Sequence, residues 1–252
     1  MMTQNHLVTQ VEGLTESYFQ APFWQQHKAV TGTSGGRNTV WFVAPEKVLS
    51  QATEVNVQAQ EWVLRHYYRG GLPGKFIRRS FVYTGLSRTR SMAEYQMLLD
   101  MGKAQLPVPK PVAALVKRRG ITYQASLLIE RIPHTQDVGR LLLQQSLNEE
   151  EWMTVGATVR RFHLAGVYHS DLNCKNILWR ALDQQAFLID FDRCGMKPRP
   201  YTSSQILSWQ MSNLQRLLRS FEKELANTPS GSRFHWQPAD WQAFMAGYSK
   251  AP

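Results

Sequence analysis

The stretch HSDLNCKNIL, residues 169–178, places an aspartate and an asparagine five positions apart, directly after a run with helical periodicity. Phosphoryl transfer needs a carboxylate that orients the attacking hydroxyl, and oxygen ligands that hold magnesium on the nucleotide phosphates. We therefore interpret Asp171 as the group that receives the hydroxyl proton, and Asn176 as a magnesium ligand through its amide oxygen. The alternative is an ordinary surface loop with turn-forming Asp and Asn.

A further carboxylate follows in QAFLIDFD, residues 185–192, which is typical of a short buried strand that ends in acidic residues. Asp190, at the end of the apolar segment, is the candidate for the main carboxylate ligand of magnesium. A metal site made of His163, His169 and Cys174 is the alternative, but these residues lack the paired spacing of metal ligands. The pattern favours magnesium-dependent phosphoryl transfer.

The composition is that of a globular protein with a basic surface. At 252 residues and 43% hydrophobic, the chain can form one large core or two small ones. A net charge of +10 favours nucleic acid, an anionic membrane face or a phosphorylated substrate, and does not choose among them. Two cysteines cannot form a disulfide framework, no apolar run approaches the ~20 residues of a membrane span, and no secretion signal is visible. We expect a cytoplasmic protein.

Periodicity predicts a β-rich first part that contains one helix, and a mostly helical second part. The expected strands lie at 31–43, where a glycine-rich turn leads into the strand, at 61–71 and at 123–132. The expected helices lie at 89–103, 148–166 with Asn148 as N-cap, 203–226 and 239–248. Pro107, Pro109 and Pro111 mark either a hinge between two lobes or a surface loop within one domain.

The order of these parts resembles the protein-kinase-like fold. HSDLNCKN matches the family's H-x-D-x-x-x-x-N catalytic loop, and IDFD stands where the family has D-F-G. The resemblance implies an α+β, two-lobed fold with a β-rich N-terminal nucleotide-binding lobe, residues 1–132, and a mainly helical C-terminal catalytic lobe, residues 137–252. The hinge is expected near residues 130–136. In this family the residue that matches His169 forms hydrogen bonds within the loop and is not the base.

The resemblance also implies phosphate contacts in the first lobe. Gly32, Gly35 and Gly36 are expected to form a loop over the phosphates, although an ordinary hairpin turn would have the same composition. Arg65 stands where the family has a lysine, and is expected to contact the α and β phosphates with Glu94 of the following helix as its partner. A plain surface ion pair is the alternative for these two residues.

At finer scale the chain resembles the 3-deoxy-D-manno-octulosonic acid (Kdo) kinases of lipopolysaccharide synthesis. The resemblance runs from about Trp62 to Tyr248 and includes YTGLSRTRSMAEYQML, RRFHLAGVYHSDLNCKNILW and NLQRLLRSF. It implies transfer of the ATP γ-phosphate, with Mg²⁺, to the 4-hydroxyl of Kdo on a lipid A precursor. It also implies peripheral association with the anionic cytoplasmic face of the inner membrane. No nucleic acid and no obligate protein partner are expected.

The basic segment RGGLPGKFIRRSF, residues 69–81, is the candidate contact for the acceptor or the lipid head groups. Its cations are Arg69, Lys75, Arg78 and Arg79, and the alternative is a solvated basic turn. Two other functions remain open: a different kinase-like sugar phosphotransferase, and a non-catalytic basic module that binds RNA or acidic lipid. The presence of Asp, Asn and Asp at the three expected positions argues against the non-catalytic module.

Overall fold

The computed structural model describes residues 3–34, 39–49, 60–69, 79–200, 202 and 205–250. The chain divides into two compact units. The first unit consists of Met1–Leu99 and Pro109–Pro133, and the second of Asp100–Val108 and His134–Pro252. Of the predicted site residues, Gly35, Gly36, Lys75 and Arg78 lie outside the described residues.

Within the described residues, the first unit is built on an antiparallel sheet of seven strands. Along the sheet the order is β1, β6, β7, β4, β3, β2, and β5 also pairs with β7. The strands are β1 Thr3–Thr9, β2 Val30–Ser34, β3 Val40–Val43, β4 Trp62–His66, β5 Phe81–Val82, β6 Pro111–Arg119 and β7 Thr122–Glu130. Helix α1 spans Ala21–Gln26, and helix α2 spans Arg90–Lys103, of which residues 90–99 belong to this unit.

The two faces of this sheet have different partners because successive residues of a strand point to opposite faces. From β4, Trp62 and Leu64 lie in an apolar core with Trp24 of α1, which is fully buried. Arg65 points to the other face, where it pairs with Glu94 of α2. The first face is therefore covered by the N-terminal segment, and the second by α2.

The second unit, in the part that the structure describes, is mainly helical with short strands. Its helices are α3 Val138–Leu141, α4 Glu149–Leu164, α5 Ser208–Asn227 and α6 Pro238–Lys250. Its strands are β8 Gln136–Asp137, β9 Val167–Tyr168, β10 Ile177–Arg180, β11 Gln185–Leu188 and β12 Gly195–Met196. The predicted cap of α4 is confirmed: Asn148 Oδ1 accepts from the Glu151 amide at 3.0 Å, and the Glu151 carboxylate accepts from the Asn148 amide at 2.8 Å. In the described part of the chain, none of the helices has the length and apolar character needed to cross a membrane.

Three expectations about local structure were wrong. Val30–Ser34 is itself a strand, because its small residues pair with β3, so Gly32 lies in β2 opposite Phe42. Pro111 begins β6 and does not belong to a loop, which is possible because the first residue of a strand can lack an amide donor. Helix α5 begins at Ser208, later than predicted, and its predicted apolar stripe includes Met211 and Leu225, which are exposed.

A buried polar cluster joins α4 and α6. The Tyr248 hydroxyl lies 2.7 Å from His163 Nδ1 and accepts a hydrogen bond from Arg160 Nη1 at 3.2 Å. Burial, with the nearby Arg160, lowers the pKa of His163 to about 3. The imidazole is therefore neutral in the folded protein throughout the physiological pH range.

We expect this histidine to make the fold less stable in acid. Between its ordinary pKa of 6.5 and about 3, the unfolded chain binds a proton that the folded chain does not, so stability falls as pH falls. The contribution approaches ~1.4 kcal/mol per pH unit within that window. Urea unfolding at pH 7 and pH 5 will measure it, and His163→Gln should reduce the pH dependence relative to the parent protein. An unchanged pH dependence in the variant would contradict this assignment.

Candidate active site

The predicted catalytic loop lies between β9 and β10 and is anchored by α5. Asn213 of α5 binds the backbone of His169 twice: its Oδ1 accepts from the amide at 3.1 Å, and its Nδ2 donates to the carbonyl at 3.0 Å. Farther along the loop, Cys174 donates its amide proton to Ser220 Oγ at 3.0 Å. Both ends of the loop are therefore held by side chains of one helix.

His169 is a structural residue of this loop. Its Nε2 lies 2.9 Å from the Ile189 carbonyl, which can only accept, so Nε2 carries the proton. Its Nδ1 is then the acceptor for the Asp171 amide, at 3.2 Å. The ring is 2% exposed and packs against Phe191, and burial lowers the pKa of His169. Both nitrogens are used within the fold, as expected for a residue that is not the base.

Asp171 presents its carboxylate to solvent, while its backbone groups form hydrogen bonds within the loop. Its carbonyl accepts hydrogen bonds from Asn173 Nδ2 and Asn176 Nδ2, each at 2.9 Å, and its amide is bound to His169. The side chain is 65% exposed, and its Oδ1 lies 3.9 Å from Arg216 Nη1 of α5. The loop is held by the backbone of Asp171, which leaves its carboxylate available for chemistry.

Asn176 and Asp190 are brought together by the backbone that links the loop to the end of β11. The Asn176 carbonyl accepts from the Ile189 amide at 3.1 Å, next to Asp190. Because Nδ2 of Asn176 is bound to the Asp171 carbonyl, its Oδ1 is the atom left for a cation. Asp190 has a φ of 65°, a left-handed conformation that turns the chain sharply between the strand and the buried Phe191.

The chemistry of these donors fits magnesium. An amide oxygen and a carboxylate are hard ligands, and Mg²⁺ at phosphoryl-transfer sites takes one or two protein groups and completes its shell with phosphate and water. Among the described residues there is no group of three or more His, Cys, Asp and Glu that could hold a metal ion by itself. The alternative site of His163, His169 and Cys174 is therefore wrong.

In the first unit the structure brings Arg65 of β4 and Glu94 of α2 into an ion pair. The Tyr67 hydroxyl donates to Glu94 Oε2 at 2.6 Å and accepts from Arg65 Nη2 at 3.3 Å. Glu94 is 3% exposed, and burial together with this carboxylate raises the pKa of Tyr67. Glu94 thus holds one side of the guanidinium in a fixed orientation.

Of the other residues predicted to contact phosphate or an anionic acceptor, the structure describes Gly32, Arg69 and Arg79. Gly32 lies within β2, where a Cβ atom would be 3.3 Å from the Phe42 ring. Arg69 is exposed, and the Arg79 guanidinium lies 5.4 Å from the centre of the Tyr68 ring.

Sequence reasoning missed three residues that shape these sites: Tyr67, Asn213 and Arg216. Each of the three has a partner distant in sequence, which for Tyr67 is Glu94, and no local pattern indicates such pairings. The cysteines also have structural roles. Cys194 Sγ accepts from the Ser170 amide at 3.2 Å, and burial raises the pKa of Cys174 to about 11, which keeps that thiol protonated.

Comparisons with known proteins identify relatives over most of the chain. Residues 21–248 match the model of a family described as "Lipopolysaccharide kinase (Kdo/WaaP) family". A 3-deoxy-D-manno-octulosonic acid kinase from Mannheimia succiniciproducens is 39% identical over 236 residues, covering 92% of this chain and 90% of that protein. The same-named protein from Vibrio parahaemolyticus is 37% identical over 239 residues, covering 95% and 90%.

A solved structure shares the fold. The structure described as "WaaP in complex with acyl carrier protein" superposes with a TM-score of 0.55 at 15% identity, covering 98% of this chain and 90% of that chain. At this identity the likeness concerns the fold.

Proposed function

The chain belongs to the lipopolysaccharide kinase (Kdo/WaaP) family, and on that premise we propose that it transfers the γ-phosphate of ATP to the 4-hydroxyl of Kdo on a lipid A precursor. The chain is accordingly a phosphotransferase that acts on a sugar hydroxyl. The observation that best supports the proposed chemistry is the exposed Asp171 carboxylate, on a residue whose amide and carbonyl both form hydrogen bonds within the loop.

In the proposed reaction Asp171 accepts the proton of the sugar hydroxyl as its oxygen attacks the γ-phosphorus. The bond between the γ-phosphorus and the bridging oxygen breaks, and ADP leaves. Arg216, 3.9 Å from the Asp171 carboxylate, adds positive charge beside the base and favours an acidic acceptor. Asn176 Oδ1 and Asp190 would hold Mg²⁺, which supplies charge neutralisation on the phosphates when bound.

Arg65 is proposed to contact the α and β phosphates, with Glu94 fixing its orientation. We expect Arg65→Gln to raise the KM for ATP about tenfold and to leave the KM for the acceptor unchanged, because a charge-assisted phosphate contact is lost. Arg88→Gln is the matched control, since it removes the same charge from an exposed position of this unit. Steady-state kinetics with each substrate varied will measure both KM values. If Arg65→Gln and Arg88→Gln change the KM for ATP equally, Arg65 does not contact the phosphates and its pair with Glu94 is only structural.

The proposed function is tested by incubating the purified protein with γ-labelled Mg-ATP and a Kdo-bearing lipid A precursor. Label in the glycolipid, located at the 4-position by phosphorus–proton NMR of the product, is the expected result. A folded protein that binds ATP and labels other sugars but not this acceptor would contradict the Kdo assignment. A protein that binds nucleotide without transfer to any sugar would contradict the enzyme assignment.

We place this reaction at the cytoplasmic face of the inner membrane, with the protein bound peripherally. The net charge of +10 supports this location, because each Lys or Arg near an anionic surface contributes ~1 kcal/mol of attraction. We expect cosedimentation with vesicles that contain phosphatidylglycerol, and loss of binding at high salt, since the Debye length falls from ~10 Å at 0.1 M to ~3 Å at 1 M. Vesicles of neutral phosphatidylcholine are the control, and equal binding to both lipids would contradict an electrostatic attachment.

A further inference from the structure

A cavity of about 410 Å³ opens on the sheet of the first unit, on the face covered by the N-terminal segment. The strand register places its floor residues side by side: Leu115 and His66 both pair with Ser126, and Lys117 pairs with Gln124. Arg65 follows Leu64 and precedes His66 in β4, so its side chain points to the opposite face. The cavity is therefore separated by the sheet from the proposed phosphate contact.

The cavity is positively charged. Arg79 and Lys117 both line it, and the described residues that line it include no carboxylate. Lys117 Nζ lies 3.3 Å from Glu16 Oε2, whereas Arg79 forms no ion pair with the described residues. Its guanidinium instead lies 5.4 Å from the Tyr68 ring, in a cation–π contact. Within the described part of the chain, Arg79 is therefore a cation of the cavity that no carboxylate neutralises.

The positive charge of the cavity affects the protonation of His66. Its Nδ1 lies 2.7 Å from Ser126 Oγ, on the adjacent strand. Burial, together with the charges of Arg79 and Lys117, lowers the pKa of His66 to about 4. The ring is therefore neutral at physiological pH and offers hydrogen bonds without adding charge.

The remaining wall is apolar and aromatic, and is formed by Trp41, Phe19 and Leu115. A volume of about 410 Å³ lies within the ~300–1,000 Å³ of small-ligand pockets. Such a cavity matches a ligand with an apolar ring face, several hydroxyl groups and one anionic group. The hydroxyl, amide and imidazole groups of Ser126, Gln124 and His66 match the hydroxyl groups, and the guanidinium of Arg79 matches the anion.

We propose that this cavity is a second binding site, and that it takes an acidic sugar, a pyranose ring that carries a carboxylate or a phosphate. The site goes beyond the proposed kinase reaction, because it lies on the sheet face opposite Arg65 and requires neither ATP nor Asp171. A sugar carboxylate and a sugar phosphate share the ring and the anionic group that the cavity recognises. Their binding constants show which of the two the cavity prefers.

The test is titration calorimetry of the full chain, without ATP, against Kdo, glucose 1-phosphate, neutral glucose and inorganic phosphate. The Cε1 proton of His66, assigned with His66→Gln, locates the binding by NMR. We expect at least one acidic sugar to bind, to shift the His66 signal and to raise the pKa of its imidazole, because an anion offsets the charges of Arg79 and Lys117. Glucose and phosphate should bind at least tenfold more weakly.

Arg79→Gln is expected to weaken this binding about tenfold, because one charge-assisted contact is lost. Arg119→Gln removes the same charge from an exposed position at the end of β6 and should leave binding unchanged. Lys117→Gln would also remove the ion-pair partner of Glu16. Arg79→Gln is therefore the variant whose effect is easier to interpret. The proposal is overturned if neither acidic sugar shifts the His66 signal, if Arg119→Gln weakens binding as much as Arg79→Gln, or if phosphate binds as tightly as the sugar phosphate. None of these readouts depends on phosphate transfer, so failure of this proposal and failure of the proposed kinase reaction are separable.

Discussion

Replacing Asp171 with asparagine is expected to lower the rate of phosphate transfer by about 10²–10⁴-fold, the usual contribution of a positioned general base. The side chain keeps its size but can no longer accept the hydroxyl proton. The fold should be unaffected, since the side chain is 65% exposed and the loop is bound through the amide and carbonyl of this residue. The measurement is single-turnover transfer of labelled phosphate, with ATP binding followed separately.

Two controls make this result specific. Asp100→Asn removes a carboxylate from an exposed position of α2 and should transfer phosphate at the parent rate. Arg216→Gln removes the neighbouring charge and retains the base, so we expect a smaller loss than with Asp171→Asn. A variant Asp171→Asn that is folded, binds ATP and transfers phosphate within a few-fold of the parent rate would remove Asp171 from the proposed mechanism.

Alanine in place of Gly156 or Gly247 is expected to destabilise the second unit by about 3 kcal/mol or more, the upper end of the cost of overpacking. A Cβ at Gly156 would lie 1.9 Å from the Phe244 carbonyl oxygen, and a Cβ at Gly247 would lie 1.9 Å from the Met153 carbonyl oxygen. The atoms in the way are backbone atoms of the facing helix, which cannot rotate away. Helices α4 and α6 would have to separate, and the buried Tyr248 would lose its contacts.

Chemical denaturation of each variant measures this loss. Gly102→Ala is the matched control, because Gly102 lies in helix α2 and a Cβ there would meet no atom within 4 Å. Because alanine has a higher helix propensity than glycine, Gly102→Ala should raise the free energy of unfolding by ~0.5–1 kcal/mol. Variants at Gly156 and Gly247 as stable as the control would show that the two helices do not pack at this distance in solution.

The α+β, protein-kinase-like fold and the kinase activity could be predicted from the sequence and are confirmed. Local patterns were sufficient where the determining interactions are local. Asn148 and Glu151 lie within one helical turn, and the apolar residues Met92, Tyr95 and Leu98 of α2 are buried as their spacing predicts. The first strand and β2 were missed because polar and small residues form strands there only through pairing with β6 and β3.

The sequence by itself determined the chemical groups of the proposed site. Asp171, Asn176 and Asp190 are recognisable because phosphoryl transfer requires carboxylate and amide oxygens, and a short loop and a strand end impose their spacing. Only the tertiary structure decided which side chains hold these groups in place and which charges lie beside them. Asn213 and Arg216 reach the loop from α5, and Arg79 reaches the cavity floor formed by β6 and β7. Such contacts depend on the packing of elements distant in the chain, and the periodicity of a single element carries no information about its neighbours in space.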